Sequence, residues 1–372
     1  MADLLPPISI VRPPVIEIGA GSLAKVGSFA AARGGTTLVV ADAFNAGRVD
    51  RLGLAGPVVV FGTVKPEPDI PNLEQLVALA DRVRPSVVIG FGGGSAMDLA
   101  KLAVVLTGSG LDVRGIAGVG KAPERSAALV QVPTTAGTGS EAGIRALVTD
   151  PATRNKVAVE SRSMLADLAV LDPELTFSVP PAVTAATGVD ALAHCVEAFT
   201  SRRAHPLIDV YALEGIRLVG RFLKRAVTDG DDVAARTGLA VASLYGGFCL
   251  GPVNTTAGHA VSYPLGTRHG IPHGLANALI FPHVLAFNAP AVPEKTALVL
   301  EALGVPDGKS VFDGAYRFCE RLGIDMRLSA AGVPADDLDA MAAEAHAIRR
   351  LLDFNPRDIG KDEIRALYQA AY

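Results

Sequence analysis

The sequence predicts a two-part chain: an α/β N-terminal half built on a parallel sheet, then an all-helical C-terminal half. Three observations predict this. Over the first 180 residues, short β-rich runs alternate with helical periodicity, the pattern of a parallel sheet covered by helices. After the string VPPAV at 179–183 the strand signal stops, and the chain reads as helix after helix, rich in Ala and Leu and broken by Gly and Pro. The length of 372 residues suggests two domains rather than one or three.

The elements follow in order. TTLVVAD (36–42), PVVVFG (57–62), SVVIGFGGG (86–94) and AALVQVPTT (127–135) read as buried strands. Segments near 20–33, 70–84 and 95–107 read as the helices between them. The boundary falls near Val179–Thr184, giving an α/β domain at 1–180 and a helical domain at 181–372. No internal repeat or low-complexity linker interrupts this pattern.

Composition excludes several function classes. With 49% apolar and 19% charged residues, the chain can build sizeable cores. A net charge of −4 without a basic tract argues against nucleic acid as a partner. The absence of Trp and an aromatic content of 5% leave few platforms for base stacking. Cys195, Cys249 and Cys319 show neither CxxC nor metal-ligand spacing, so they are expected to be reduced thiols of a cytoplasmic protein. The N-terminus lacks the basic and apolar regions of a signal peptide. No uncharged apolar run approaches the roughly 18 residues of a membrane span, so no membrane partner is expected.

Chemistry concentrates in four places. Asp190 and His194, four apart in TGVDALAHCVEAF, project from one helix face. His259 and His273 are separated by Pro264, Gly266, Gly270 and Pro272, which suggests a helix, a turn and a second helix start. One carboxylate and three imidazoles suit Fe²⁺ or Zn²⁺; the alternative is four unrelated polar residues. The second place is Gly90-Phe91-Gly92-Gly93-Gly94-Ser95, which joins a strand to a helix. Such a loop lets Gly93, Gly94 and Ser95 bring backbone N–H groups and the helix dipole to a phosphate. Its spacing is not GxGxxG, and tight turns use glycine too. Asp98, in the first turn of that helix, has dipole compensation as its plainer reading.

Asp42 ends a strand, where an acid can accept from a ribose hydroxyl and would repel a 2′-phosphate, favouring NAD over NADP; a plain turn residue is the alternative. The third place is PTTAGTGSE, at 133–141. Hydroxyls of Thr134, Thr135 and Thr138 could hold a pyrophosphate or ribose. The alternative is a Ser/Thr turn ahead of a helix, with Glu141 capping. The fourth is Lys156, within reach of cofactor hydroxyls unless simply solvated.

Together the strings GFGGGSAMDLAK, VPTTAGTGSE, LDPELTFSVPPAVTAATGVDALAHCVEAF, HGIPHGLANALIFPHVLAFN and NPRDIGKDEIRALYQAAY resemble the group III, or iron-containing, alcohol dehydrogenase family. The resemblance runs from about residue 10 to the end. It implies a Rossmann-like dinucleotide-binding domain, a helical metal-binding domain and an active site in the cleft between them. It puts metal ligands on Asp190, His194, His259 and His273. Nicotinamide-cofactor contacts fall on Asp42, Gly94, Ser95, Asp98, Thr134, Thr138, Leu147 and Lys156. The activity implied is metal-dependent hydride transfer between NAD(H) and a small alcohol or aldehyde, in a homo-oligomer, dimeric or larger.

The chain departs from the family pattern at three points. Many members carry a proton-relaying histidine four residues after the third ligand; here that position is Tyr263, with His269 close in sequence, and either could take the role. The family's PNP turn reads Pro66-Glu67-Pro68, so Glu67 replaces an amide that helps hold the cofactor. Arg145 stands where relatives place a neutral residue near the substrate. It would grip a carboxylate on a hydroxy acid or semialdehyde acid, unless it pairs with Glu141 or Asp150. Maleylacetate reductases share much of the pattern but lack the aspartate ligand, which argues against them here. Dehydroquinate-synthase-like cyclases share the architecture, but their basic phosphate-binding cluster is not evident. A non-enzymatic sensor of metal or NAD(H) has little support.

Overall fold

The structure is a computed structural model that describes residues 7–153 and 155–372. The chain divides into two compact units. Val11–Thr135 and Gly139–Phe177 form an α/β unit; Ala136–Thr138 and Ser178–Tyr372, with the described residues up to Ile10, form a helical unit. A single cut in the sequence cannot express this division, because three residues of the Thr-rich turn belong to the helical unit.

In the α/β unit the elements run β1 (Val15–Ile18), α1 (Ala24–Arg33), β2 (Thr37–Ala41), α2 (Ala43–Ala46), β3 (Val58–Phe61), α3 (Ile70–Val83), β4 (Val87–Gly92), α4 (Gly94–Leu106), β5 (Gly118–Val119), β6 (Ala128–Pro133), β7 (Arg145–Asp150), β8 (Asn155–Glu160) and β9 (Leu168–Leu171). The main sheet has the order β1-β9-β6-β4-β2-β3, with every pairing parallel. The parallel sheet expected from the alternation is therefore present. Its central strands β2, β4 and β6 are buried along their whole length, as strands covered on both faces must be.

Period-two alternation sorts their side chains. Leu38, Val40, Val88 and Leu129 pack with α3 and α4 through Leu73, Leu76, Leu99 and Leu102. Val39, Val87, Ile89 and Val130 turn to the other face, against Leu23 and Val26 at α1. Asp69 starts α3 by accepting from the Asn72 N–H at 2.9 Å.

The sequence pattern did not reveal a second sheet, of order β5-β8-β7 with β7 and β8 antiparallel. β7 alternates buried and half-buried residues, and β8 is mostly half-buried. Neither therefore forms a continuous apolar run.

The helical unit contains α5 (Pro181–Thr200), α6 (Pro206–Thr228), α7 (Val233–Leu250), α8 (Ala257–His269), α9 (His273–Asn288), α10 (Pro293–Ala302), α11 (Val311–Glu320), α12 (Leu338–His346), α13 (Arg349–Leu352) and α14 (Lys361–Ala371). Its core joins α5, α6, α7, α8 and α9 through Leu192, Ile216, Leu239, Val261 and Leu279. α7 is long and apolar enough to cross a membrane, with mean hydropathy 1.3, but 67% of it is buried inside the unit. It also carries Arg236, whose Nη1 donates to Thr184 Oγ1 at 2.8 Å.

Candidate metal centre and cofactor loop

α5 presents Asp190, His194 and Glu197 at i, i+4 and i+7, hence on one face. α8 brings His259 to this face, and α9 brings His273 in its first turn. Pro264 lies inside α8 rather than ending it. The helix stops instead at Gly270, whose φ of +67° is left-handed. The turn between the two histidine-bearing helices is thus shorter than the Pro and Gly spacing suggested.

One ligand atom from each of Asp190, His194, His259 and His273 lies within 4.8 Å of the others. Asp190 Oδ1 is 3.9 Å from His194 Nε2 and 3.5 Å from Nε2 of both His259 and His273. Asp190, His194 and His259 are buried, whereas the His273 side chain is 30% exposed. The cluster is therefore most open on the His273 side.

Outer contacts aim the rings. His194 Nδ1 lies 3.3 Å from the Gly137 carbonyl, and His259 Nδ1 lies 2.5 Å from Glu197 Oε1. With each Nδ1 occupied, Nε2 faces inward. Asn277 Nδ2 donates toward Asp190 Oδ1 at 2.7 Å and lies 3.2 Å from Nε2 of His259 and of His273. Converging lone pairs beside a buried carboxylate form a donor set that fits a divalent transition metal.

The electrostatics agree with this fit. Burial opposes ionisation of Asp190, but the three imidazoles hold its carboxyl well below the usual range. Burial pushes His194 down to about 4. At His259, Glu197 and Asp190 outweigh burial and raise the imidazole to about 10. A field that favours a proton there favours a cation equally.

The expected cofactor residues lie in the α/β unit, apart from Thr138, on the loops and in α4, β7 and β8. Gly93 is the N-cap of α4, and no side chain caps that helix. Gly93, Gly94 and Ser95 are half-buried; the Ala96 and Met97 N–H groups bond to the Gly93 carbonyl, which leaves those of Gly94 and Ser95 to face an anion. Gly92 admits no side chain: an added Cβ would meet Ala96 Cβ at 2.9 Å and Asp42 Oδ2 at 3.2 Å. Asp42 caps α2, accepting from Asn45 N at 2.9 Å and Asn45 Nδ2 at 2.7 Å. Asn45 Nδ2 in turn reaches Thr134 Oγ1 at 3.3 Å. Thr135 Oγ1 would lie 3.4 Å from a Cβ built on Gly93.

Asp98 anchors the turn after β6. Its carboxylate accepts from Ser140 Oγ at 2.6 Å and Leu147 N at 2.9 Å. Lys101, fully buried, donates to Ser140 O, Ser140 Oγ and Arg145 O at 2.5, 2.8 and 2.8 Å. Lys156 pairs with Glu67, which adopts φ +50° in the turn where Asn would be comfortable. The Ser/Thr turn leads not into an α-helix but into a single 3₁₀ turn at Ser140–Ala142 and then β7. Glu141 caps nothing: both carboxyl oxygens are buried without a hydrogen-bond partner.

The three residues expected near the reaction lie as follows. The Tyr263 ring centroid is 6.4 Å from that of His259 and 5.9 Å from that of His273. His269 Nε2 is 2.7 Å from Asp337 Oδ2, beside Arg268. Arg145 turns Nη2 and Nε to Glu160 at 2.8 and 3.2 Å. Neither carboxylate considered from sequence is its partner here: Asp150 pairs with Arg114 at 2.9 Å, and Glu141 has none. Glu197, Asn277 and Lys101 were missed from the sequence. Their only local signals are helical offsets from Asp190, His273 and Asp98.

Comparison with known proteins gives the family. Residues 13–173 match the family described as iron-containing alcohol dehydrogenase, and residues 184–372 match the C-terminal region of the same family. Long-chain-alcohol dehydrogenase 1 of Geobacillus thermodenitrificans is 36% identical, over 98% of this chain and 96% of that protein. A crystal structure of 1,3-propanediol oxidoreductase superposes with a TM-score of 0.92 at 32% identity, covering 99% of this chain and all of that one. Sulfoacetaldehyde reductase from Bifidobacterium kashiwanohense, solved in complex with NAD⁺, gives a TM-score of 0.89 at 28% identity, over 98% and 99% of the two chains. The chain belongs to the iron-containing alcohol dehydrogenase family.

Proposed function

We propose that the protein is a metal- and NAD(H)-dependent alcohol dehydrogenase, or aldehyde reductase, acting on small alcohols or carbonyls. The observation that carries this reading is the convergence of Asp190, His194, His259 and His273 within 4.8 Å. These four would hold Fe²⁺ or Zn²⁺, and such an ion supplies Lewis-acid polarisation of a substrate oxygen. The α4 N-terminus at Gly93, Gly94 and Ser95 would receive the cofactor phosphates. Asp42 would accept from a ribose hydroxyl, with Glu67, Thr134, Thr135, Thr138, Leu147 and Lys156 as further contacts. Asp98 orients the Leu147 backbone and Ser140. Tyr263, beside two ligands, is the better placed proton-handling group; His269 faces Asp337 instead.

A substrate bearing an acid group is the second reading. Arg145 favours it, with a side chain 25% exposed, as does the relative named for a sulfonated aldehyde. Such a substrate would have to draw Arg145 from Glu160. We also read the protein as cytoplasmic, its three buried cysteines forming no disulfide among the described residues, and as a homo-oligomer.

The test is NADH formation after reconstitution with Fe²⁺ or Zn²⁺, on neutral alcohols paired with hydroxy acids of matched length. Turnover only with metal is expected; full turnover after complete chelation would refute the reading. Arg145→Leu should raise KM selectively for the acids if the second reading holds, and equal effects on both series would sink it.

A further inference from the structure

The Glu197 carboxylate sits behind the metal cluster, 5% exposed, and serves two structures. Oε1 lies 2.5 Å from His259 Nδ1. Oε2 accepts from the Thr256 N–H at 2.6 Å, the Thr256 hydroxyl at 3.1 Å and the His259 N–H at 3.3 Å. Thr256 is the N-cap of α8, yet its side chain does not cap the helix. The α5 carboxylate does so instead, placing negative charge where first-turn N–H groups and the helix dipole favour it. Gly258 makes room, since a Cβ there would stand 2.7 Å from Glu197 Oε1.

We propose that Glu197 is a positioning residue for the metal: it locks His259 with its proton on Nδ1 and its Nε2 lone pair facing the cluster. The contacts require a carboxylate. One oxygen accepts from a ring N–H and the other from backbone N–H groups, and a carboxylate is acceptor on both sides. A glutamine in the same place must turn its NH₂ either to the α8 amides or to His259 Nδ1. The first sets donor against donor; the second forces the ring into the tautomer whose Nε2 cannot bind a metal. Asn277 Nδ2, which can only donate, lies 3.2 Å from His259 Nε2 and from His273 Nε2, in keeping with a lone pair on the inner side of the ring. Glu197 also ties His259 of α8 to Asp190 and His194 of α5, so one side chain fixes both the ring and the separation of two ligand-bearing helices.

The inference rests on the metal-dependent reading, and the experiment separates the two. Zn²⁺ dissociation constants are measured by chelator competition for wild type, Glu197→Gln and Thr256→Val, with circular dichroism as the folding control. Folded Glu197→Gln is expected to bind Zn²⁺ 10- to 100-fold more weakly, as losing an outer-shell partner does. Thr256→Val, which removes only one contact on the capping side, should stay at the wild-type value. In ¹⁵N-histidine-labelled, Zn²⁺-loaded wild type, the His259 resonances (assigned by their loss in His259→Gln) should report a protonated Nδ1 and a coordinated Nε2. This spectrum decides the matter even if Glu197→Gln does not fold. Wild-type affinity in folded Glu197→Gln, or coordination of His259 through Nδ1, overturns the positioning role alone. Failure of the wild type to bind any divalent ion overturns the metal reading as well.

Discussion

Replacing Glu141 with Gln should change how stability depends on pH. Glu141 is 1% exposed, and neither carboxyl oxygen has a hydrogen-bond partner. Burial, offset only in part by the nearby dipole of its own backbone amide and by the Lys101 ammonium, raises the carboxyl from 4.5 to about 7. A tenfold change in proton affinity is worth about 1.4 kcal/mol, so ionised Glu141 costs the fold on the order of 3 kcal/mol. The sign follows from proton counting. Between pH 4.5 and about 7 the folded protein keeps a proton that the unfolded chain has lost, so stability falls as pH rises through this window and levels off above it.

Glutamine carries no such titration. Its own unpartnered amide shifts the whole curve by a constant, but the difference between variant and wild type should grow by about 3 kcal/mol from pH 4.5 to pH 8. The chain has no tryptophan, so urea unfolding is best followed by circular dichroism across this range. Parallel stability curves for the two proteins would refute the argument and mean that the carboxylate is solvated or paired.

Further outcomes test the remaining networks. Lys101→Met keeps the bulk but removes three hydrogen bonds, two to Ser140 and one to the Arg145 carbonyl, and leaves Asp98 without its cation; a loss of about 3–5 kcal/mol is expected, read by the same unfolding assay. NAD(H) affinity, measured by titration, should fall with it, because Asp98 and Leu147 lose their anchor. Glu67→Asn relieves a left-handed Glu at φ +50° but gives up its pair with Lys156; against Glu67→Gln, which gives up the pair alone, it should be about 1 kcal/mol more stable, and equal midpoints for the two variants would mean the turn carries no strain. Asp190→Ala should abolish stoichiometric metal binding, measured by elemental analysis, and with it nearly all turnover. Full metal occupancy in that variant would remove Asp190 from the ligand set.

Much was legible in local pattern because the physics there is local. The strands at Thr37–Ala41, Val87–Gly92 and Ala128–Pro133 are buried on both faces and so read as unbroken apolar runs. The antiparallel pair Arg145–Asp150 and Asn155–Glu160 was not legible, because each strand is only half covered and its polar positions break the run. Likewise Asp190 and His194 declared themselves by one helical turn, and Gly93-Gly94-Ser95 by a strand-to-helix junction.

By itself, then, the sequence determined the fold class, the family and the residue types able to hold a metal and a phosphate. The tertiary structure alone decided who partners whom. That Glu197 backs His259 across 62 residues, that Arg145 faces Glu160 rather than Glu141 or Asp150, and that Lys101 holds the turn at Ser140 depend on how helices and strands pack. A side chain's chemistry is written in the chain, whereas its partner and protonation are set by what folding buries beside it.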